Sequence, residues 1–148
     1  MKVVIQRVKE ASVRVEGRIV GEIRHGLVLL VGFAKGDTEA CLAPVIDKIV
    51  TMRIFDNEEG RFDRDITHVR GDVLVISQFT LLADTTKGRR PEFFQALEPD
   101  KARKLFDTCV EALRAKPVGK VATGVFGAMM EVSLTNDGPV TIILDKEQ

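Results

Sequence analysis

"GLVLLVGF", residues 26–33, is a run of apolar side chains with no polar residue alternating through it. A strand with one wet face alternates, so a short unbroken run bounded by glycine reads as a strand covered on both faces. "DVLVISQFTLL" (72–82) begins in the same way, with Val73, Leu74, Val75 and Ile76 in succession, and then turns polar. Two such strands need covering layers on both sides of one sheet.

The flanking sequence supplies those layers. An alternating first strand runs from about Lys2 to Val8, and "SVRVEGRIVGEI" (12–23) reads as a hairpin turning at Glu16-Gly17. Asp37 or Thr38 can N-cap a helix to about Met52, with Leu42, Val45, Ile46 and Ile49 on one face. Pro44 falls inside it, so either the first turns are irregular or the helix begins late. "RIFDNEEGRFDRDI" (53–66) suggests a short strand, an acidic turn and an edge segment, while 84–100 is too polar and broken for a regular element. Pro99 and Asp100 open a second helix, with Leu105, Phe106, Cys109, Val110 and Leu113 as its buried stripe. "GKVATGVFGAMMEVSL" (119–134) and "PVTIILD" (139–145) supply closing strands, with Met129 and Met130 on opposite faces. The order β-β-β-α-β-α-β-β fits neither a Rossmann fold nor a simple sandwich. The class is α/β, with mixed, strand-rich sheet layers covered by two helices.

Between the closing strands lies "TNDGPVT" (135–141). Asn136-Asp137-Gly138 suits a hairpin turn, yet Pro139 removes a backbone donor where the next strand should begin. A hairpin alone does not account for it.

Composition restricts the function. A chain of 148 residues, 45% hydrophobic and 30% charged, is read as one domain over 1–148. Its 22 basic and 22 acidic residues cancel, which does not suit a general nucleic-acid coat but permits a local patch for one RNA end. No apolar run approaches the ~20 residues of a membrane span, and the N-terminus opens in a strand rather than a signal segment, so the protein is expected in the cytoplasm. Cys41 and Cys109 have no CxxC spacing and read as buried, reduced thiols.

Ser77, Gln78, Phe79 and Thr80 follow the apolar run of 73–76, and polar residues at the carboxyl end of a buried strand are a common place for a site. They could equally do no more than satisfy backbone groups as the strand ends. His25 and His68 are the only histidines, in contexts that do not suggest a Ser-His-Asp triad. Neither a metal-ligand motif nor a glycine-rich phosphate loop occurs. An enzyme so equipped would cleave a labile bond by positioning and by main-chain N–H stabilisation of an oxyanion. "KGRRPEFF" (87–94) reads as a phosphate grip or as a solvated loop with an apolar anchor. "GVFGAMM" (124–130) brackets Phe126 with glycines that allow close backbone approach, and its methionines could line a pocket or fill the core.

"SQFTL" (77–81), followed by "NDGPVT" (136–141), resembles the two signature motifs of the D-aminoacyl-tRNA deacylase family. "VIQRV", "GRRP" and "FGAMM" stand in the same order as in that family, and the likeness runs from Met1 to about Asp145. The resemblance implies a barrel-like core and a homodimer with active sites at the subunit interface. It implies hydrolysis of the ester of D-aminoacyl-tRNA without metal or other cofactor, and no membrane partner. A cis Gly138-Pro139 turn would enter the partner's site and exclude L-aminoacyl groups by a backbone clash, leaving glycyl-tRNA as a second substrate. Main-chain N–H groups of Gln78 and Phe79 would hold the oxyanion, Ser77 and Thr80 would orient substrate, Met130 and Phe126 would line the pocket, and Arg7 would hold the proline turn. Thr80 as a nucleophile lacks an evident base. The alternatives are a non-catalytic dimer that binds a tRNA end or small ligand, and a metal-dependent esterase.

Overall fold

In a computed structural model, which describes residues 1–146, the run at 26–33 forms β3 (Gly26–Gly32) at the centre of a mixed sheet. β1 (Lys2–Val15) pairs antiparallel on one side, from Lys2 opposite Gly32 to Val8 opposite Gly26. β6 (Asp72–Ser77) pairs parallel on the other, from Gly26 beside Asp72 to Val31 beside Ser77. β2 (Arg18–Ile23), joined to β1 through Glu16 and Gly17 at φ 51° and 78°, and β7 (Val121–Thr123) complete the order β2-β1-β3-β6-β7.

The unbroken apolar run is explained by its two faces. Leu27, Leu29, Val31, Val73 and Val75 pack with Val45, Ile46, Ile49 and the stripe Leu105, Phe106, Cys109, Val110 and Leu113. These come from helices α1 (Leu42–Thr51) and α3 (Pro99–Arg114). Val28, Leu74 and Ile76 face the other way, into a second cluster with Val8, Ala11, Val13, Ile23 and Ala122. That second cluster fills the inside of a nearly closed barrel. Closure brings β2 so near β7 that a Cβ on Gly21 would lie 2.5 Å from the Thr123 carbonyl oxygen, which requires glycine there.

Four expectations are corrected. A third helix, α2 (Ile66–Val69), is a single turn, held by a capping box between Asp65 and His68. It follows β4 (Phe55–Asp56) and β5 (Phe62–Arg64), which form the expected short ribbon. Of the two alternatives that Pro44 left open, the first helix begins late, after a 3₁₀ turn over Glu39–Cys41. Pro44 therefore sits in its first turn, where an N–H has no intrahelical acceptor anyway. Asp37 and Thr38 make no side-chain cap at that helix. The Asp37 carboxylate instead accepts the Ala34 N–H at 2.7 Å and pairs with the Met1 ammonium at 2.7 Å, both side chains fully buried. The segment 119–134 is not one strand. β7 stops at Thr123, and Met129 and Met130 precede β8 (Glu131–Asp145) rather than alternating within it.

The last correction concerns "TNDGPVT". Its flanks do not pair with each other. Both belong to β8, which runs antiparallel along β1 from Arg14 opposite Glu131 to Lys2 opposite Asp145. Val8 faces Asn136 and Gln6 faces Thr141, so Arg7 alone stands opposite Asp137, Gly138, Pro139 and Val140, which leave the ladder as a wide bulge. The tight-turn chemistry serves a protrusion from one strand.

The Met1–Asp37 pair is buried, so removing one partner strands the other. Asp37→Ala is expected to lower unfolding free energy by roughly 3–5 kcal/mol, measured by urea denaturation; a change within about 0.5 kcal/mol, the range of ordinary surface substitutions, would contradict the role assigned to the pair.

Candidate active site

β6 ends where its neighbour does. Ser77 is the last residue paired with Val31, and Gln78 donates its N–H to the Val31 carbonyl at 2.8 Å. The chain then bends into a 3₁₀ turn over Phe79–Leu82. At this bend opens a cavity of about 610 Å³. Ser77, Gln78, Phe79, Phe126 and Met130 all line it, so five of the residues selected from the sequence meet in one place. Thr80 lies beside them, its hydroxyl accepting a short hydrogen bond from the Gln78 side-chain amide.

The main-chain donors differ from the expectation. The Gln78 N–H is already committed to Val31, because the β3–β6 ladder extends one residue past Ser77. The Phe79 and Thr80 N–H groups begin the 3₁₀ turn, and no backbone acceptor takes them among the described residues. Of these two residues, Phe79 lines the cavity and Thr80 follows it in the turn.

The remaining wall was not found from the sequence. Phe93, Ala96, Leu97 and Glu98 reach the cavity from the irregular segment after residue 84. Phe93 stands edge-on to Phe79, with centroids 5.1 Å apart. Glu98 is the only ionisable lining residue among those described and pairs with Lys101 at 3.6 Å. Its position just before Pro99, at the start of α3, was the available signal. Phe126 is held from outside by the Arg103 guanidinium, 4.8 Å above its ring. Met130 reaches inward to the barrel cluster, while Met129 is 92% exposed. Burial pushes the Cys109 thiol up to about 12, which keeps it an inert core group.

Gly138 and Pro139 do not line this cavity. They are exposed on the β8 bulge, and their peptide bond is cis. Three neighbours contact the bulge: Asn136, Arg7 and His25. Asn136 uses its side-chain amide as a strand would use its backbone, accepting the Val140 N–H at 2.7 Å and donating to the Val140 carbonyl at 3.2 Å. Gly138 sits at φ 142°, where an added Cβ would lie 2.7 Å from Val140 Cγ2, so only glycine fits. Arg7 is 5% exposed and is no surface ion-pair residue. Its Nε donates to the Asp137 carbonyl at 2.9 Å, and Nη1 donates to Ile54 O at 2.8 Å and Asp56 Oδ1 at 3.1 Å. The Asp137 carboxylate lies 3.6 Å from Arg7 and 3.7 Å from His25. His25 thus belongs to the bulge and His68 to the α2 cap, so neither histidine serves the cavity.

Residues 4–145 match the family model described as D-Tyr-tRNA(Tyr) deacylase. The chain is 51% identical over its full length, and that of its relative, to the D-aminoacyl-tRNA deacylase of Bacillus velezensis. It is 46% identical to that of Aquifex aeolicus, covering 100% of this chain and 99% of the relative. Among solved structures, the c-Myc DNA Unwinding Element Binding Protein superposes with a TM-score of 0.93 at 36% identity, each chain covered completely. A probable eukaryotic D-amino acid tRNA deacylase shares the fold at a TM-score of 0.82 and 18% identity, over 98% of both chains. With its signature segments assembled at one strand end and one bulge, the chain belongs to the D-Tyr-tRNA(Tyr) deacylase family.

Proposed function

We propose that this protein hydrolyses the ester joining a D-amino acid to the terminal adenosine of tRNA and spares L-aminoacyl esters. Family membership supports the reaction, which is that of a hydrolase acting in translational proofreading, and the cytoplasm, where tRNA is charged, is its proposed place of action. The observation that carries the site is the cavity at the end of β6, apolar on most sides, beside a bend whose Phe79 and Thr80 N–H groups have no backbone acceptor among the described residues.

An aminoacyl ester is a labile bond, so fixing it against those donors supplies much of the needed rate. The Phe79 N–H, with that of Thr80 beside it, takes the developing oxyanion. Water attacks the carbonyl carbon, and the vicinal ribose hydroxyl assists departure of the ribose oxygen. Ser77 and the Gln78–Thr80 hydrogen-bonded pair orient the ester. Thr80 is not the nucleophile in this reading, because its partner is an amide N–H, which cannot accept its proton. Phe126 and Met130 contact the adenosine or the aminoacyl end.

Selection against L-aminoacyl groups is assigned to the bulge of a second copy, whose Gly138 and Pro139 main chain would occupy the space an L side chain needs. Support comes from their exposure on the outside of their own protomer and from β8 itself. That strand pairs only with β1 among the described residues, and it carries Ile143 at 69% exposure. An unpaired apolar edge favours association with another copy. Glycine has no side chain to exclude, so glycyl-tRNA is cleaved as well. The binding-only reading gains no specific observation.

Purified protein is expected to release D-tyrosine from charged tRNA, with or without a chelator, at least 100-fold faster than L-tyrosine; equal rates for the two enantiomers would overturn the reading. Thr80→Ala should retain roughly 1–10% of kcat if the hydroxyl positions substrate, a loss of about 1.4–2.7 kcal/mol in the range of one polar contact, whereas loss to background would restore the covalent mechanism. Arg7→Ala leaves the Asp137 and Ile54 carbonyls without their donor. It is expected to reduce the D-over-L ratio of kcat/KM by tenfold or more, and an unaltered ratio in folded variant protein would exclude the bulge as the selector.

A further inference from the structure

We propose that the loop between Asp84 and Glu92 grips RNA phosphates beside the aminoacylated end, through Lys87, Arg89 and Arg90, with Phe94 as a stacking surface for an unpaired base. This inference rests on the deacylase reading of the cavity and adds how that cavity holds a polymer.

The first support is charge. The chain as a whole is neutral, yet three cations fall within four consecutive positions, all exposed. None of the three has a carboxylate partner among the described residues, unlike Lys2, Arg53 or Lys116, and what sets them apart from other unpaired cations is that they stand together on one loop.

The second support is order. Asp84 and Glu92 exchange backbone hydrogen bonds of 2.7 and 2.9 Å, which pinch the loop at its base. The Asp84 carboxylate accepts the Thr86 N–H at 2.9 Å and its hydroxyl at 2.7 Å, and Gly88 turns the tip at φ 67°. A loop that only kept the protein hydrated would need no such fixing. Holding the cations in place lowers the ordering cost of gripping a polyanion.

The third support is position. Phe93, directly beyond the loop, is part of the cavity wall. Lys35 N–H to Gln95 O at 2.8 Å and Leu97 N–H to Phe33 O at 3.0 Å fasten the same segment to the chain continuing from β3. At no more than ~3.6 Å per residue, Arg90 lies within about 11 Å of Phe93, so the loop is tied closely to the cavity wall that Phe93 forms. Arg103, exposed and stacked on Phe126, adds positive charge on another wall. Phe94 is 70% exposed beside the cations, an arrangement that suits a flexible strand end, whose bases stack on aromatic rings.

The test compares two substrates, D-tyrosyl-tRNA and the D-tyrosyl ester of adenosine, in wild type and in the triple variant Lys87→Gln, Arg89→Gln, Arg90→Gln. The variant is expected to raise KM for the tRNA by 10- to 100-fold with kcat within about twofold, and to flatten the slope of log KM against log salt by roughly 2–3, one contact for each cation. The adenosine ester should be cleaved at the wild-type rate. Phe94→Ala should raise KM for the tRNA alone, by several-fold. Unchanged KM and salt slope for the tRNA, or equal losses on both substrates, would overturn the proposal. If wild type cleaves neither substrate, the deacylase reading fails separately. The loop is then judged by binding of uncharged tRNA, which the triple variant must weaken at least tenfold for the phosphate assignment to stand and which equal binding refutes.

Discussion

The buried Arg7 guanidinium ties the sheet to the segment that most distinguishes this chain. It occupies the single β1 position left opposite the four residues that bulge from β8, and it converts that gap into a set of directed bonds. Without a planar donor there, the buried Ile54 carbonyl and the part-buried Asp137 carbonyl would lose their partner, and leaving a buried acceptor unpaired costs more than the hydrogen bond itself contributes. Asn136 completes the arrangement from the strand side. The bulge is therefore a rigid part of a long ribbon, presenting its tip outward.

The same sheet places the cavity. β3 and β6 run parallel, their pairing extends through the Gln78 N–H, and the bend that follows leaves two main-chain donors facing no backbone acceptor. The irregular segment from residue 84 to α3 adds aromatic and apolar walls. A protein with no histidine at its cavity can still act on an ester if backbone dipoles do the electrostatic work, and backbone dipoles are indifferent to the identity of the amino-acid side chain. That indifference suits an enzyme that sorts by handedness.

Much of this was legible in the sequence, for physical reasons. Buried parallel strands have no wet face, so 26–33 and 73–76 announced themselves, and the α3 stripe at 105, 106, 109, 110 and 113 is buried throughout. "TNDGPVT" misled because Asn-Asp-Gly between two strand-like runs is what a hairpin looks like, and nothing local reveals that both runs pair with a strand some 130 residues earlier. Asp37 misled because a carboxylate suited to capping is equally suited to an ammonium, and the Met1 amine is brought to it only by the fold. α2, at four residues, is too short to show a period. Ser77 to Thr80 stood out as polar residues closing an apolar strand; Phe93 and Glu98 did not, because they reach the cavity through a segment without periodicity.

The account requires that the cavity of one protomer work with the bulge of another, and mixed dimers test that directly. Arg7→Ala protomers keep an open cavity but lose the ordered bulge; Ala102 lines the cavity from α3, so Ala102→Phe protomers keep the bulge but fill the cavity. Each homodimer should lack D-selective deacylation. When the two are co-expressed and the mixed dimers isolated, one cavity of each pair meets an intact bulge, and the D-over-L ratio of kcat/KM should return to the wild-type value at about half the activity per dimer. Mixed dimers no more selective than the Arg7→Ala parent would contradict it.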